Sequence, residues 1–97
     1  MATYIVLGSF TEQGIRAVKE TTKRAEALGD LAKSVGVTVK EVYWTLGQYD
    51  VVAIVDAPDE ASVTAFGLKT GALGNVRTQT LRAFSADEMS KILGKLK

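Results

Sequence analysis

Six residues carry most of the chemistry this chain could do: Tyr43, Tyr49, Asp50, Arg77, Thr80 and Arg82. Phenolic hydroxyls and guanidinium groups orient anionic or carbonyl ligands, because a guanidinium matches a carboxylate or phosphate with parallel hydrogen bonds. Asp50 or Asp56 could serve as a general base only where burial raises its pKa. The sequence has no histidine and no cysteine. That removes the commonest base near neutral pH, the commonest zinc ligand, thiolate chemistry and every Ser–His or Cys–His nucleophile pair. A metal site would need oxygen ligands alone, and no close run of Asp and Asn resembles a calcium loop. No catalytic residue, metal or cofactor is therefore assigned, and the balance tilts from catalysis toward binding.

Bulk composition narrows the classes further. Ninety-seven residues, 46% hydrophobic and 24% charged, suit one small globular domain spanning residues 1–97. Twelve basic residues against eleven acidic ones leave a net charge of +1. A nucleic-acid partner would call for a basic excess, so none is expected. Met1-Ala2-Thr3 leads directly into a strand-like run, with no basic segment followed by a long apolar one. The expectation is a cytoplasmic protein without membrane association.

The elements that must position the candidate residues are legible from periodicity. Tyr4–Phe10 and Tyr49–Ala57 are nearly continuous apolar runs, as central strands are. Val37–Leu46 alternates in part, with Val42, Trp44 and Leu46 on one face and Val39, Glu41, Tyr43 and Thr45 on the other. Gly47-Gln48 between them predicts a two-residue type II′ hairpin with Gly47 at positive φ. After the first strand, Thr11 offers an N-cap. Ile15, Val18, Thr22, Ala25, Leu28, Ala32 and Val35 then follow helical spacing. An unbroken helix to Val35 would span about 36 Å, too long for strands near 25 Å. The Thr21-Thr22 pair therefore marks a break, with one Thr capping a second helix that ends at Gly36. Pro58-Asp59-Glu60 starts another helix ending at Gly74-Asn75. Val76–Phe84 reads as a half-exposed strand, and Ser85-Ala86-Asp87-Glu88 as a capping box opening a short amphipathic helix.

The order β-α-β-β-α-β plus a terminal helix predicts an α+β, ferredoxin-like fold with a four-stranded antiparallel sheet. Its first and third strands are central, matching the two most apolar runs. Two helices cover one sheet face. The other is expected to carry Tyr4, Val6, Val39, Tyr43 and Val76 among Glu41, Thr45, Thr78, Thr80 and Arg82. Such a patch calls for a second copy of the chain, with a ligand slot between facing sheets as a further option. Dimers or multiples of dimers are expected.

Tyr43-Trp44-Thr45-Leu46-Gly47-Gln48-Tyr49-Asp50, Phe10-Thr11-Glu12-Gln13-Gly14, Gly74-Asn75-Val76-Arg77-Thr78 and Leu81-Arg82-Ala83-Phe84 together resemble the GYD domain family. The family takes its name from the Gly-x-Tyr-Asp element, and the likeness covers nearly the whole chain. It implies a small ferredoxin-like domain of the dimeric α+β-barrel type, with no established activity to carry over. Related sequences often have a turn-like Asp-Ser-Pro near Lys19-Glu20-Thr21-Thr22. This chain has no Pro there.

Each candidate has a structural reading beside its functional one. Gly47, Tyr49 and Asp50 make either a site or a well-formed hairpin. Trp44 belongs with the core, and Tyr43 with an interface or a pocket. Gly71, Gly74, Asn75 and Arg77 suggest an anion cradle, yet they follow a helix instead of preceding one, so a helix C-cap and turn is the better reading. Arg82 with Thr78 and Thr80 would bind either the partner subunit's Glu41 or an anionic ligand. The leading functional expectation is a non-catalytic homo-oligomeric domain that binds a small molecule or protein at the inter-subunit sheet face or hairpin end. A pure assembly module is a blander version of it. The competing class is a cofactor-independent dimeric α+β-barrel enzyme acting on a small aromatic or carbonyl compound.

Overall fold

β-branched and aromatic residues hold Ala2–Phe10 (β1) extended at the centre of a four-stranded antiparallel sheet, in a computed structural model that describes residues 1–96. The other strands are Thr38–Trp44 (β2), Val51–Ala57 (β3) and Val76–Ala83 (β4), in the order β2-β3-β1-β4. The two most apolar strands are central, as the ferredoxin-like reading requires. Helices Glu12–Arg16 (α1), Thr21–Ser34 (α2), Glu60–Ala72 (α3) and Ala86–Leu93 (α4) complete the α+β fold.

The helix break falls where sheet length demands it, through a different device. Thr11 caps α1 by accepting from the Gly14 N–H at 3.1 Å. A single 3-10 turn, Val18–Glu20, then redirects the chain into α2. No threonine caps α2. The Thr21 hydroxyl instead accepts a hydrogen bond from Trp44 Nε1 at 3.0 Å, tying the start of the helix to the end of β2. Gly36, at φ 80, closes the far end of α2 in the left-handed conformation that a glycine adopts without strain.

Register settles which residues each sheet face carries. Tyr4, Val6, Val55 and Ala57 join Ala32, Val37, Val63 and Phe66 in the core beneath α2 and α3. Arg82 lies opposite Tyr4, Thr80 opposite Val6, Thr78 opposite Gly8 and Val76 opposite Phe10. All four therefore belong to the helix side, as do Tyr4 and Val6, which corrects the expectation that put them on the open face. The physical reason is that Tyr4 and Val6 are no more apolar than Ile5 and Leu7. A strand buried on one face and flanked by apolar residues on the other gives period two nothing to choose between. Val39 also moves to the helix side, through a bulge: Val39 pairs with Val55 and Glu41 with Ile54, so Lys40 is an extra residue that reverses the alternation. Glu41 and Tyr43 remain on the open face as expected.

That open face carries an apolar stripe running across the central strands, Ile5, Leu7, Val52, Ile54 and Leu81, flanked by Glu41, Tyr43, Gln79 and Arg77. No helix covers it. Beyond β4, α4 has both halves of its capping box: Ser85 Oγ accepts from the Glu88 N–H at 3.1 Å, and the Ser85 N–H donates to Glu88 Oε1 at 3.0 Å. Its Met89 and Leu93 are exposed, as are Leu96 just beyond it and Phe84 just before it. The chain exposes 6515 Å², against about 5,400 Å² for a folded monomer of this mass.

Candidate functional site

The β2–β3 connection is longer than a two-residue turn. Strand pairing stops at Trp44–Val51, and the Thr45 N–H donates to the Asp50 carbonyl at 2.9 Å, enclosing Leu46-Gly47-Gln48-Tyr49 as a four-residue loop. Gly47 has φ 105, the positive value expected of it. Leu46 is fully exposed at the tip and does not continue the Val42–Trp44 face. The Thr45 hydroxyl donates to the Tyr49 carbonyl at 2.6 Å and braces the loop internally.

Asp50 and Tyr49 then fasten this loop to the rest of the sheet. The Asp50 carboxylate accepts from the Phe10 N–H at 2.8 Å, and the Asp50 N–H donates to the Gly8 carbonyl at 2.9 Å. The Tyr49 hydroxyl donates to Gln79 Oε1 on β4 at 2.9 Å. The next residues of the chain make a second clasp. The Thr11 N–H donates to the Asn75 carbonyl at 3.1 Å, and Gln13 Nε2 donates to the Leu73 carbonyl at 3.1 Å and to Asn75 Oδ1 at 3.0 Å. Gly14 is forced by this approach: a Cβ there would sit 1.9 Å from the Asn75 carbonyl oxygen. The Gly74-Asn75 segment is a helix-ending turn with Gly74 at φ 86, in line with the C-cap reading. Arg77 is exposed and lies opposite Ser9 in the same corner.

Thr80 and Arg82 lie elsewhere, on the helix side of β4. The Arg82 guanidinium stacks over Phe84 at 4.5 Å and over Tyr4 at 5.6 Å, donates to the Thr3 and Ala83 carbonyls, and pairs with Glu88 of α4 at 3.4 Å. Its carboxylate partner is thus Glu88 of its own chain; Glu41 instead accepts from the Tyr43 hydroxyl. That bond and the charge of Glu41 push the Tyr43 phenol above its ordinary pKa, which disfavours the phenolate. The Ser85 N–H, more than Arg82, holds the Glu88 carboxyl below the usual range. The Ser62 N–H does the same for Asp59, the N-cap of α3, at 2.8 Å. The six candidates are therefore not one site. Tyr49, Asp50 and Arg77 share the hairpin end, Tyr43 stands on the open face, and Thr80 and Arg82 face α3 and α4.

Between the sheet and the helices lies a feature that periodicity did not foretell. A cavity of about 140 Å³ is walled by Phe10, Leu28, Val42, Trp44, Ala53 and Phe66, with Arg24 and Thr21 among its few polar neighbours. Trp44 is on the helix side, as its alternation with Val42 implies, but 43% exposed at the cavity rim.

A family model described as GYD domain matches residues 4–93. The chain belongs to the GYD domain family. Its similarity extends to a Thermus thermophilus protein named "Glutamine synthetase and cystathionine beta-lyase binding protein". That protein is 33% identical over 90 residues, covering 92% of this chain and 95% of the relative. The crystal structure of TTHA0845, also from Thermus thermophilus, superposes with a TM-score of 0.58 at 32% identity, covering 89% of this chain and 96% of that one. Within this GYD domain the signature Gly-x-Tyr-Asp is occupied with holding the hairpin against β1 and β4. The two other motifs at this end, Phe10–Gly14 and Gly74–Thr78, are each other's binding partners. Sequence reasoning found all three motifs but missed that they meet, since a contact across about sixty residues leaves no local signal. No helix among the described residues is long and apolar enough to cross a membrane.

Proposed function

We propose that this GYD domain is a non-catalytic binding module that self-associates through its open sheet face and docks a protein partner. The observation that carries the reading is the excess of exposed surface. The 6515 Å² presented by the chain exceeds the expectation for its mass by roughly 1,100 Å², comparable to one side of a standard interface of about 800 Å² per partner. The stripe Ile5, Leu7, Val52, Ile54 and Leu81 supplies a continuous apolar centre for it, and Glu41 and Arg77 a charged rim. A two-fold pairing would let each stripe meet its copy. The exposed Met89 and Leu93 of α4 offer a further apolar surface to a second protomer.

A protein partner is favoured over a reaction for two reasons. The polar groups of the hairpin end hold partners inside the fold: the Phe10 N–H engages one Asp50 carboxylate oxygen, and Gln79 engages the Tyr49 hydroxyl. The Thermus relative, similar over almost its full length, is named for binding two enzymes. Leu46 at the loop tip and Trp44 behind it offer apolar contact at the edge of the sheet. Co-elution with the same organism's glutamine synthetase or cystathionine β-lyase on size-exclusion chromatography tests the partner reading. Retention of either enzyme by the wild-type protein and its loss in Leu46→Asp is expected. Separate elution of both enzymes from wild-type protein contradicts it.

A further inference from the structure

The cavity beneath the helices is on the opposite side of the sheet from the proposed self-interface, so what it does is a separate question. Its walls come from β1, β2, β3 and β4 below and from α2 and α3 above, so it is held by the framework of the fold and not by a loop. An apolar pocket of about this size has room for a benzene-sized guest. Trp44 stands at the rim, with its indole N–H fixed on Thr21, so one aromatic wall is held in place before any ligand arrives.

Arg24 gives the cavity its polarity. The side chain is half-buried at the lining and donates to the Ala17 carbonyl at 2.7 Å and to the Gly14 carbonyl at 3.2 Å. Those bonds fix the guanidinium without neutralising it. Among the described residues no carboxylate lies within ion-pair distance of Arg24, whereas Arg16 and Arg82 each have one. A held, half-buried cation beside an apolar pocket matches a guest that is apolar at one end and anionic at the other.

We propose that this cavity is a binding site for a small carboxylate with a ring-sized apolar body, its carboxylate meeting Arg24 and its body lying among Phe10, Leu28, Val42 and Phe66.

The chain has one tryptophan, and it is at this cavity, so intrinsic fluorescence reads occupancy directly. Benzoate is the probe, with benzyl alcohol as its neutral counterpart, each titrated into the full chain and checked by calorimetry. Saturable binding of benzoate with a dissociation constant on the order of 1 mM is expected for so small a guest. Ala25→Leu, which fills the cavity from α2, is expected to abolish the response, with the milder Ala53→Val reducing it if the leucine disturbs folding. Arg24→Gln is expected to weaken benzoate by about tenfold while leaving benzyl alcohol unchanged. A folded wild-type protein with no saturable response overturns the site, as does an undiminished response in the filled variants. Equal loss of benzoate and benzyl alcohol in Arg24→Gln overturns the carboxylate assignment. None of these outcomes depends on self-association or on an enzyme partner, which chromatography reads independently.

Discussion

The two ends of this sheet are built on opposite terms. At the hairpin end three separate segments close on one another: Asp50 holds the Phe10 N–H, Gln13 holds Leu73 and Asn75, and Gly14 touches the Asn75 backbone. At the other end α4 is a well-capped helix joined to the sheet chiefly through one exposed pair, Arg82 with Glu88, and its apolar side faces solvent. The contrast teaches that the signature motif acts as a fastening in this chain and that the free surface lies elsewhere. Asp50 and Gln13 hold the fold's own backbone together at the hairpin end.

Substitutions should therefore act very differently at the two ends. The largest effect is expected for Gly14→Val, whose Cβ would meet the Asn75 carbonyl oxygen at 1.9 Å. Backbone has to move, and a loss of about 3 kcal/mol or more in urea denaturation is expected. A near-wild-type midpoint would mean that the clasp is loose. Next comes Asp50→Ala, which strips the half-buried Phe10 N–H of its acceptor. A cost of about 1–3 kcal/mol follows from leaving such a donor unpaired, whereas Asp50→Asn, which keeps an acceptor oxygen, should cost clearly less. Equal losses in both would assign Asp50's effect to its charge.

At the other end the expected effects are local and small. Ser85→Ala removes the cap of α4 at about 1 kcal/mol of helix stability, and it should speed amide exchange in α4 without moving the global unfolding midpoint. Acidification should act on the same helix. The Glu88 carboxyl is held below its ordinary pKa in the folded chain, so its contribution is fully present above the unfolded value near 4.3 and is lost as pH falls through the lowered folded value. Protection factors across α4, which correct for the slower intrinsic exchange in acid, should fall over that window before those of the sheet. Simultaneous loss of both would show that α4 is integral to the core.

How much of this was legible beforehand depends on the range of the interaction. The capping box at Ser85 and Glu88, the N-cap at Thr11, the helix start at Pro58-Asp59-Glu60 and the glycines at 36 and 47 are decided within a few residues, and each is where the local chemistry puts it. Strand order followed from the apolar content of β1 and β3. The face assignment failed for a different reason. β1 is apolar at odd and even positions alike, so its sequence holds no marker of side, and the bulge at Lys40 reverses β2 within a single strand. With the side of β4 inverted, Thr80 and Arg82 were placed in an inter-sheet slot when they flank α3 and α4. The Gly14–Asn75 approach and the cavity are products of tertiary assembly, and neither leaves a pattern in any one segment.

The central claim is that the stripe from Leu81 across Ile5 to Ile54 is covered by a second copy of the chain. Sedimentation equilibrium of the wild-type protein and of Ile54→Lys at micromolar concentration tests it most directly. A wild-type mass at twice the 10.4 kDa protomer or a multiple of that, falling to the protomer in a still-folded Ile54→Lys, is the predicted result. A wild-type protein that sediments as a single protomer, or an Ile54→Lys variant that keeps the wild-type mass, would contradict it.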